Sequence, residues 1–281
     1  MGPTASGKTE VAERLADDLD AALINADAFQ VYRGLDIGTA KPVARERYEL
    51  LDIKDPEDTF GVGEFVRLAA GLLETYFTEG RNVIVVGGTG LNIRALFEEY
   101  SGMEDKPSDE LREALSKESL ETLVERLRVE APQVADRIDL KNPARVQRAL
   151  ERALVPSPSI EMRLPPFQRT KLGIVGPTEV LDAMIVSRFE RMIQNGWIDE
   201  VLSLRNQGVP NEAPGFRAIG YRPLLKYLGG ELEIDAAKAT VVTDTRQYAK
   251  RQRTWLRSEK NLTVLNWSDA LGDARRFLNL N

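Results

Sequence analysis

Apolar runs along this chain are short and alternate with longer amphipathic stretches. Ala21-Ala22-Leu23-Ile24-Asn25 and Asn82-Val83-Ile84-Val85-Val86 are nearly continuous apolar segments, and their length predicts strands buried on both faces. Residues 171–175 and 262–265 repeat the pattern more weakly. Between them, apolar positions recur at helical spacing over residues 7–19, 62–78 and 90–99. In the first of these Val11, Leu15 and Leu19 share one face. Strands alternating with helices predict βαβ units and a parallel sheet, which binds ligands at the carboxyl ends of its strands. Asp27 and the turn Gly87-Gly88-Thr89-Gly90 both stand at such ends.

The pattern changes after about residue 103. Residues 108–154 are strongly charged and helical, without a convincing strand, and Pro156, Pro158, Pro165 and Pro166 follow as a connection. From 179 to 257 the spacing is again helical, interrupted by Gly196, Gly208, Pro214, Gly229 and Gly230. The expected organisation is a core of residues 1–102 and 170–281 with a helical insertion at 103–169.

The chemistry enters at Gly2-Pro3-Thr4-Ala5-Ser6-Gly7-Lys8-Thr9, which satisfies G-x-x-x-x-G-K-[ST] ahead of a helical pattern. Successive loop amides form an anion nest, the lysine reaches the outer phosphates, and the threonine hydroxyl is a Mg²⁺ ligand. The dipole of the following helix adds partial positive charge. A loop of this kind ordinarily follows a buried strand, and here only Met1 precedes it, so the natural chain is expected to extend further.

Composition narrows the options. The 281 residues carry a net charge of −6, with 42% hydrophobic and 29% charged residues, no cysteine and no histidine. Thiolate catalysis, disulfides and cysteine-ligated zinc are excluded. Without histidine, proton transfer near neutral pH falls to a carboxylate, a lysine, a tyrosine or the substrate. No apolar run approaches the roughly 20 residues that span a bilayer, and no signal peptide is visible, so a cytoplasmic protein without membrane contact is expected. The second acid that usually holds Mg²⁺ in nucleotide hydrolases is missing at Val86. Asp27 is the one acid at a strand end near the loop, and on residues alone it reads equally as a metal ligand, a cap or a general base.

Several further runs resemble the tRNA dimethylallyltransferases, in order and nearly end to end. They are Asp27 with Gln30-Val31-Tyr32-Arg33-Gly34-Leu35-Asp36-Ile37-Gly38-Thr39-Ala40-Lys41-Pro42, the Gly87-Gly88-Thr89-Gly90-Leu91 turn, Asn142-Pro143, Arg188-Phe189 and Ile219-Gly220-Tyr221-Arg222. The segment from Thr245-Arg246-Gln247 through Lys250-Arg251-Gln252 to Trp255-Leu256-Arg257 completes the match. The resemblance implies a P-loop NTPase-like α/β fold, with a parallel sheet flanked by helices and an insertion that closes over the anticodon stem-loop. It also implies transfer of the five-carbon group of dimethylallyl diphosphate to N6 of adenosine 37 in tRNA, with Mg²⁺ and a monomeric enzyme.

By the same resemblance, Asp27 accepts the amine proton and Thr89 lines the channel where base and prenyl donor meet. Gly2, Thr4, Ala5, Ser6, Gly7, Lys8, Thr9 and Arg188 bind the diphosphate, with Thr9 also on the metal. Gln30, Arg246, Gln247, Lys250, Arg251, Arg253 and Arg257 contact tRNA. The spacings of 4, 3 and 4 between Arg246, Lys250, Arg253 and Arg257 place these four on one helical stripe, free of acids. Tyr248 and Trp255 fall on the opposite side, towards the core. The chain departs from the family pattern at Ala28, Asn92, Met184 and Arg47-Tyr48-Glu49-Leu50. Three other readings stay open: an adenylate isopentenyltransferase acting on free nucleotide, a non-catalytic phosphate-loop RNA-binding protein, and a kinase.

Overall fold

The strand β1 (Ala22–Asn25) is buried along its whole length, as its uninterrupted apolar run requires. The computed structural model describes residues 1–98, 109–155 and 164–280. β1 lies between β2 (Tyr48–Glu49) and β3 (Val83–Val86), parallel to both. Register decides what meets at the carboxyl end: Asn25 pairs with Val86, and the Ala26 amide donates to the Val86 carbonyl at 2.8 Å. Asp27 and Gly87 therefore leave the sheet side by side. Gly87 lacks a side chain for a steric reason, since a Cβ there would come within 2.8 Å of the Ala26 backbone.

A second parallel pair, β4 (Lys171–Ile174) with β5 (Leu262–Leu265), does not bond to the first sheet. The expected single sheet is thus two sheets. Between the edges of β3 and β4 lies a cavity of about 1300 Å³, lined by Val83–Val86, Leu172, Ile174 and apolar residues of the first helix. Met1 enters this gap and bonds to β4: its carbonyl accepts the Ile174 amide at 2.9 Å and its amino group donates to the Leu172 carbonyl at 2.6 Å.

Helices α1 (Lys8–Leu19), α2 (Val62–Thr78) and α3 (Gly90–Phe97) surround the first sheet. α1 buries Ala12, Leu15 and Ala16 and ends where Asp20 turns left-handed, its amide returning to Ala16. α2 buries Phe65, Val66, Ala69 and Leu73, one helical face, and stops before Gly80 at φ 68°. The predicted third helix, 90–99, begins as expected but ends at Phe97, because Glu98 turns extended; residue 99 lies outside the described residues. Asn92 on α3 is buried and donates to the Ala26 carbonyl at 3.2 Å, fastening the helix to the end of β1.

The chain divides into two compact units, residues 1–100 with 163–281, and residues 101–162. The smaller unit contains α4 (Asp109–Ser116), α5 (Leu120–Glu130), α6 (Pro132–Ala135) and α7 (Pro143–Leu154). Asn142 caps α7 ahead of Pro143, which suits the first helical position. Leu115, Leu123, Leu127, Val146 and Leu150 form the core of this unit. The expected limits of the insertion near 103, together with Pro156 and Pro158, fall outside the described residues.

The larger unit continues with α8 (Thr178–Gln194), α9 (Trp197–Asn206), α10 (Tyr221–Leu228), α11 (Ile234–Arg257) and α12 (Ala270–Phe277). Gly196, Gly208 and Gly230 all have positive φ and mark the breaks between helices, as their spacing suggests. Trp197, Phe216 and Tyr221 form the centre of a large apolar cluster with Val31 and Leu35, so the segment after β1 is packed against these helices.

Candidate active site

The phosphate loop reaches its shape through Ala5 at φ 62° and Gly7 at φ 79°, both left-handed. Alternation of hand turns successive amides towards one side, which is how a backbone nest for anions forms. Gly7 leads directly into Lys8, the first residue of α1, so the helix N-terminus faces the same point. Gly2 is required by packing, because a Cβ there would collide with the buried Ser6 side chain. The Ser6 hydroxyl is buried without a hydrogen-bond partner among the described residues.

Opposite the loop, the turn after β1 is built from its own side chains. Buried Asn25 accepts the Asp27 amide at 3.1 Å and donates to the Leu50 carbonyl at 3.1 Å. Asp27 Oδ1 accepts the amides of Phe29 at 2.9 Å and Gln30 at 3.4 Å. The second oxygen of Asp27 has no hydrogen-bond donor among the described residues. The Gln30 side chain donates to the carbonyls of Thr39 and Ala40 at 3.0 and 3.1 Å. Both of its N–H donors are thereby used within the chain, leaving the amide oxygen for any ligand.

Charge gathers around the Asp27 carboxylate. Burial draws the half-buried Lys8 ammonium down to about 8, with the Asp27 carboxylate opposing the shift and Arg188 adding to it. Arg188, on α8, is likewise lowered by burial and supported by Asp27. Two cations and one carboxylate leave a local excess of positive charge where an anion would sit. Tyr248, on α11, is pushed up to about 12 by burial and by the Asp27 charge, with its hydroxyl turned towards Thr89 and Gln252. It therefore stays a neutral donor at physiological pH.

The structure brings Asp27, Thr89, Lys8 and Arg188 together, along with Tyr248, for which the sequence reading assigned only packing. The inner face of α11 carries Tyr248, Gln252 and Trp255, spaced four and three apart. Trp255 lies against Gly90, where a Cβ would enter the indole, and the Arg94 guanidinium covers the ring at 4.5 Å. The glycines of the Gly87-Gly88-Thr89-Gly90 turn thus answer to neighbouring backbone and to α11 side chains. Gln252 is not among the residues to which the sequence points as site residues. Its signal was a polar side chain in the middle of an otherwise inward-facing stripe.

The other predicted residues lie outward on α11. Arg246, Gln247, Lys250, Arg251 and Arg257 are exposed, and Arg253 is half-buried with a 2.6 Å bond to the Thr178 hydroxyl. Arg251 lies 5.7 Å from the Tyr248 ring centre, and Arg246 approaches Asp182 at 3.8 Å. Lys250 and Arg257 have no ion-pair partner among the described residues.

A phosphate loop at a helix N-terminus, on parallel α/β layers and facing one carboxylate and two half-buried cations, defines a protein that handles a phosphorylated substrate. The comparisons make the class specific. The IPP transferase family model matches residues 30–259, and the isopentenyl transferase model matches residues 1–52. The chain belongs to the IPP transferase family. It is 39% identical to tRNA dimethylallyltransferase 2 of Geotalea uraniireducens, over 95% of this chain and 90% of that protein. It is 40% identical to the tRNA dimethylallyltransferase of Stenotrophomonas maltophilia, over 99% and 93%. Its fold superposes on the tRNA isopentenylpyrophosphate transferase of Bacillus halodurans with a TM-score of 0.73 at 33% identity, covering 99% of this chain and 93% of that one. No described helix is long and apolar enough to cross a membrane.

Proposed function

We propose that this protein transfers the dimethylallyl group from dimethylallyl diphosphate to N6 of adenosine 37 in tRNA and releases diphosphate. The observation that carries this reading is the convergence of Lys8 and Arg188 on the Asp27 carboxylate, one oxygen of which holds the Phe29 and Gln30 amides while the other has no donor among the described residues. Membership of the family and the names of its relatives support it.

In this reading the allylic C–O bond breaks and the diphosphate carries the negative charge away. Lys8, Arg188 and the loop amides stabilise that developing charge in a site partly removed from water. The adenine N6 forms the new N–C bond, and its proton passes to the free oxygen of Asp27. An exocyclic amine is a weak nucleophile while it keeps that proton, so a base within reach contributes roughly 10²–10⁴-fold. Thr89 and Tyr248 stand beside this base and orient the acceptor. The adenine has to leave its stack to reach a half-buried carboxylate. The exposed cations of α11, Lys250 and Arg257 foremost, would hold the RNA backbone. The helical unit would close on the anticodon stem-loop, and a cytoplasmic location follows from the substrate.

Mg²⁺ fits the residues present. No cluster of three acidic ligands exists among the described residues, but Thr9 stands on the first turn of α1 beside the nest. One hydroxyl, diphosphate oxygens and retained waters suit Mg²⁺, which seldom needs a full protein cage. When bound, the ion would supply further neutralisation of the leaving diphosphate.

The test is incubation with dimethylallyl diphosphate, Mg²⁺ and either an unmodified tRNA or AMP, followed by nucleoside mass analysis. The expected product is an N6-prenylated adenosine in the tRNA arm alone. Equal modification of AMP would favour a free-nucleotide enzyme, and phosphate transfer from ATP without prenylation would favour a kinase.

A further inference from the structure

Gln252 joins the two halves of the site through one side chain. Its Oε1 accepts the Thr4 amide of the phosphate loop at 2.8 Å, and its Nε2 donates to the Gly88 carbonyl at 2.9 Å. Only a group that both accepts and donates serves these two partners, and their nature fixes which way the amide points. The side chain is 6% exposed, so water does not offer either partner a substitute. A Cβ on Gly88 would strike this same amide and come within 3.1 Å of the Gly2 carbonyl, so the loop and the turn are in close approach where Gln252 clasps them.

The consequence is geometric. Thr4 belongs to the loop that grips the leaving group, while Gly88 precedes Thr89, which stands beside Tyr248 near Asp27. The Thr4 amide is committed to Gln252, so the nest for the anion is formed by the amides further along the loop.

We infer that Gln252 is a positioning residue for the transfer reaction, setting the distance between the diphosphate grip and the acceptor turn. The inference rests on the prenyl-transfer reading above. It differs from a role in RNA contact, because the side chain faces inward while its neighbours Arg251 and Arg253 carry the outer surface.

Two substitutions test it. Gln252→Met keeps the volume and removes both bonds. Misplacement of reacting groups by about 1 Å costs roughly 10²-fold in rate, so kcat should fall by about that factor. Affinities for inorganic pyrophosphate and for an anticodon stem-loop should stay close to wild type. Gln252→Glu keeps the acceptor for Thr4 but sets a carboxylate against the Gly88 carbonyl. Once protonated, the same carboxyl both accepts and donates, so the ratio of variant to wild-type kcat should rise as the pH is lowered from about 8 to about 6. A residue that merely fills space would show no such recovery.

A Met variant with wild-type kcat, or a Glu variant whose ratio is flat with pH, would overturn the inference. Absence of turnover in the wild type would instead overturn the functional reading. Hydrogen exchange at the Thr4 amide then decides the clamp by itself: faster exchange in Gln252→Met supports it, and unchanged exchange removes it.

Discussion

The Glu200 carboxylate accepts the Tyr221 hydroxyl at 2.6 Å, and with its two oxygens it also gathers the amides of Asp36, Ile37 and Gly38 at 2.8, 2.6 and 3.3 Å. A side chain of α9 thus fills the anion nest of the loop that follows Gln30. Gln30 in turn holds the Thr39 and Ala40 carbonyls and gives its own amide to Asp27. The Asp-Ile-Gly-Thr-Ala-Lys-Pro run is shaped by this internal carboxylate. Buried Lys41, bonded to the Tyr32 carbonyl, Asp36 and Asp52, closes its far end.

Glu200→Gln should therefore loosen the loop at a distance from α9. Replacing an oxygen acceptor by an NH₂ group leaves amides unpaired, at about 2–4 kcal/mol. The expected result is faster hydrogen exchange at residues 36–38 and a lower unfolding midpoint in urea. Unchanged exchange there would show that the carboxylate is not what holds the loop.

Asp27→Asn separates the structural and chemical roles of that residue. Asparagine can still accept the Phe29 and Gln30 amides, so the turn should survive with a near-native unfolding profile. Turnover should drop roughly 10²–10⁴-fold, the range that general-base catalysis contributes. Turnover at the wild-type rate would remove Asp27 as proton acceptor.

Lys8 makes anion binding depend on pH. Its ammonium is lowered from the ordinary value to about 8, chiefly by burial, so its charge is complete below that pH and is lost above it. Pyrophosphate affinity should be level at lower pH and weaken as the pH rises through about 8, an inflection that Lys8→Met should abolish. The effect on folding has the opposite sign. Burying the charged ammonium opposes folding while Lys8 is protonated, and that penalty is relieved as the pH rises from about 8 towards the unfolded-state value. Calorimetric titration of pyrophosphate at a series of pH values checks the first statement.

Gly90→Ala introduces a Cβ into space held by the Trp255 indole. Overpacking of this kind costs typically about 1–3 kcal/mol. Trp255→Leu in the same chain should recover part of the lost stability, because the two changes share one site and are not additive. If the double variant lost the sum of both effects, the contact would not be the cause.

Lys250 and Arg257, exposed and without ion-pair partners among the described residues, are the simplest cations on α11 to test as phosphate contacts. Each alanine substitution should weaken tRNA binding and reduce the dependence of log K on log salt by about one. Fluorescence anisotropy with a labelled stem-loop across a salt series reads both. A slope that does not move would make this face a solvated surface only.

Much of the fold was legible in local pattern. Residues 62–78 carry a helical stripe and form a helix over that same span, and Leu262–Leu265 forms the predicted strand. The two-residue strand Tyr48–Glu49 was not legible, since it follows a charged 3₁₀ turn and owes its place to pairing with β1. The division of the sheet was not legible either, because bonding between β3 and β4 is a property of their separation and not of either run.

By itself the sequence determined the phosphate loop, the inventory of possible bases and the family, because each depends on residue types at fixed local spacing. Only the tertiary structure decided that Lys8, Arg188 and Asp27 share one electrostatic site, that Gln30 uses its donors internally, and that Gln252 clasps loop to turn. The first and last of those relationships cross long stretches of chain, 248 residues in the bond from Thr4 to Gln252. They exist because strand register and helix packing bring the groups within hydrogen-bond distance, and spacing along the chain carries no record of that.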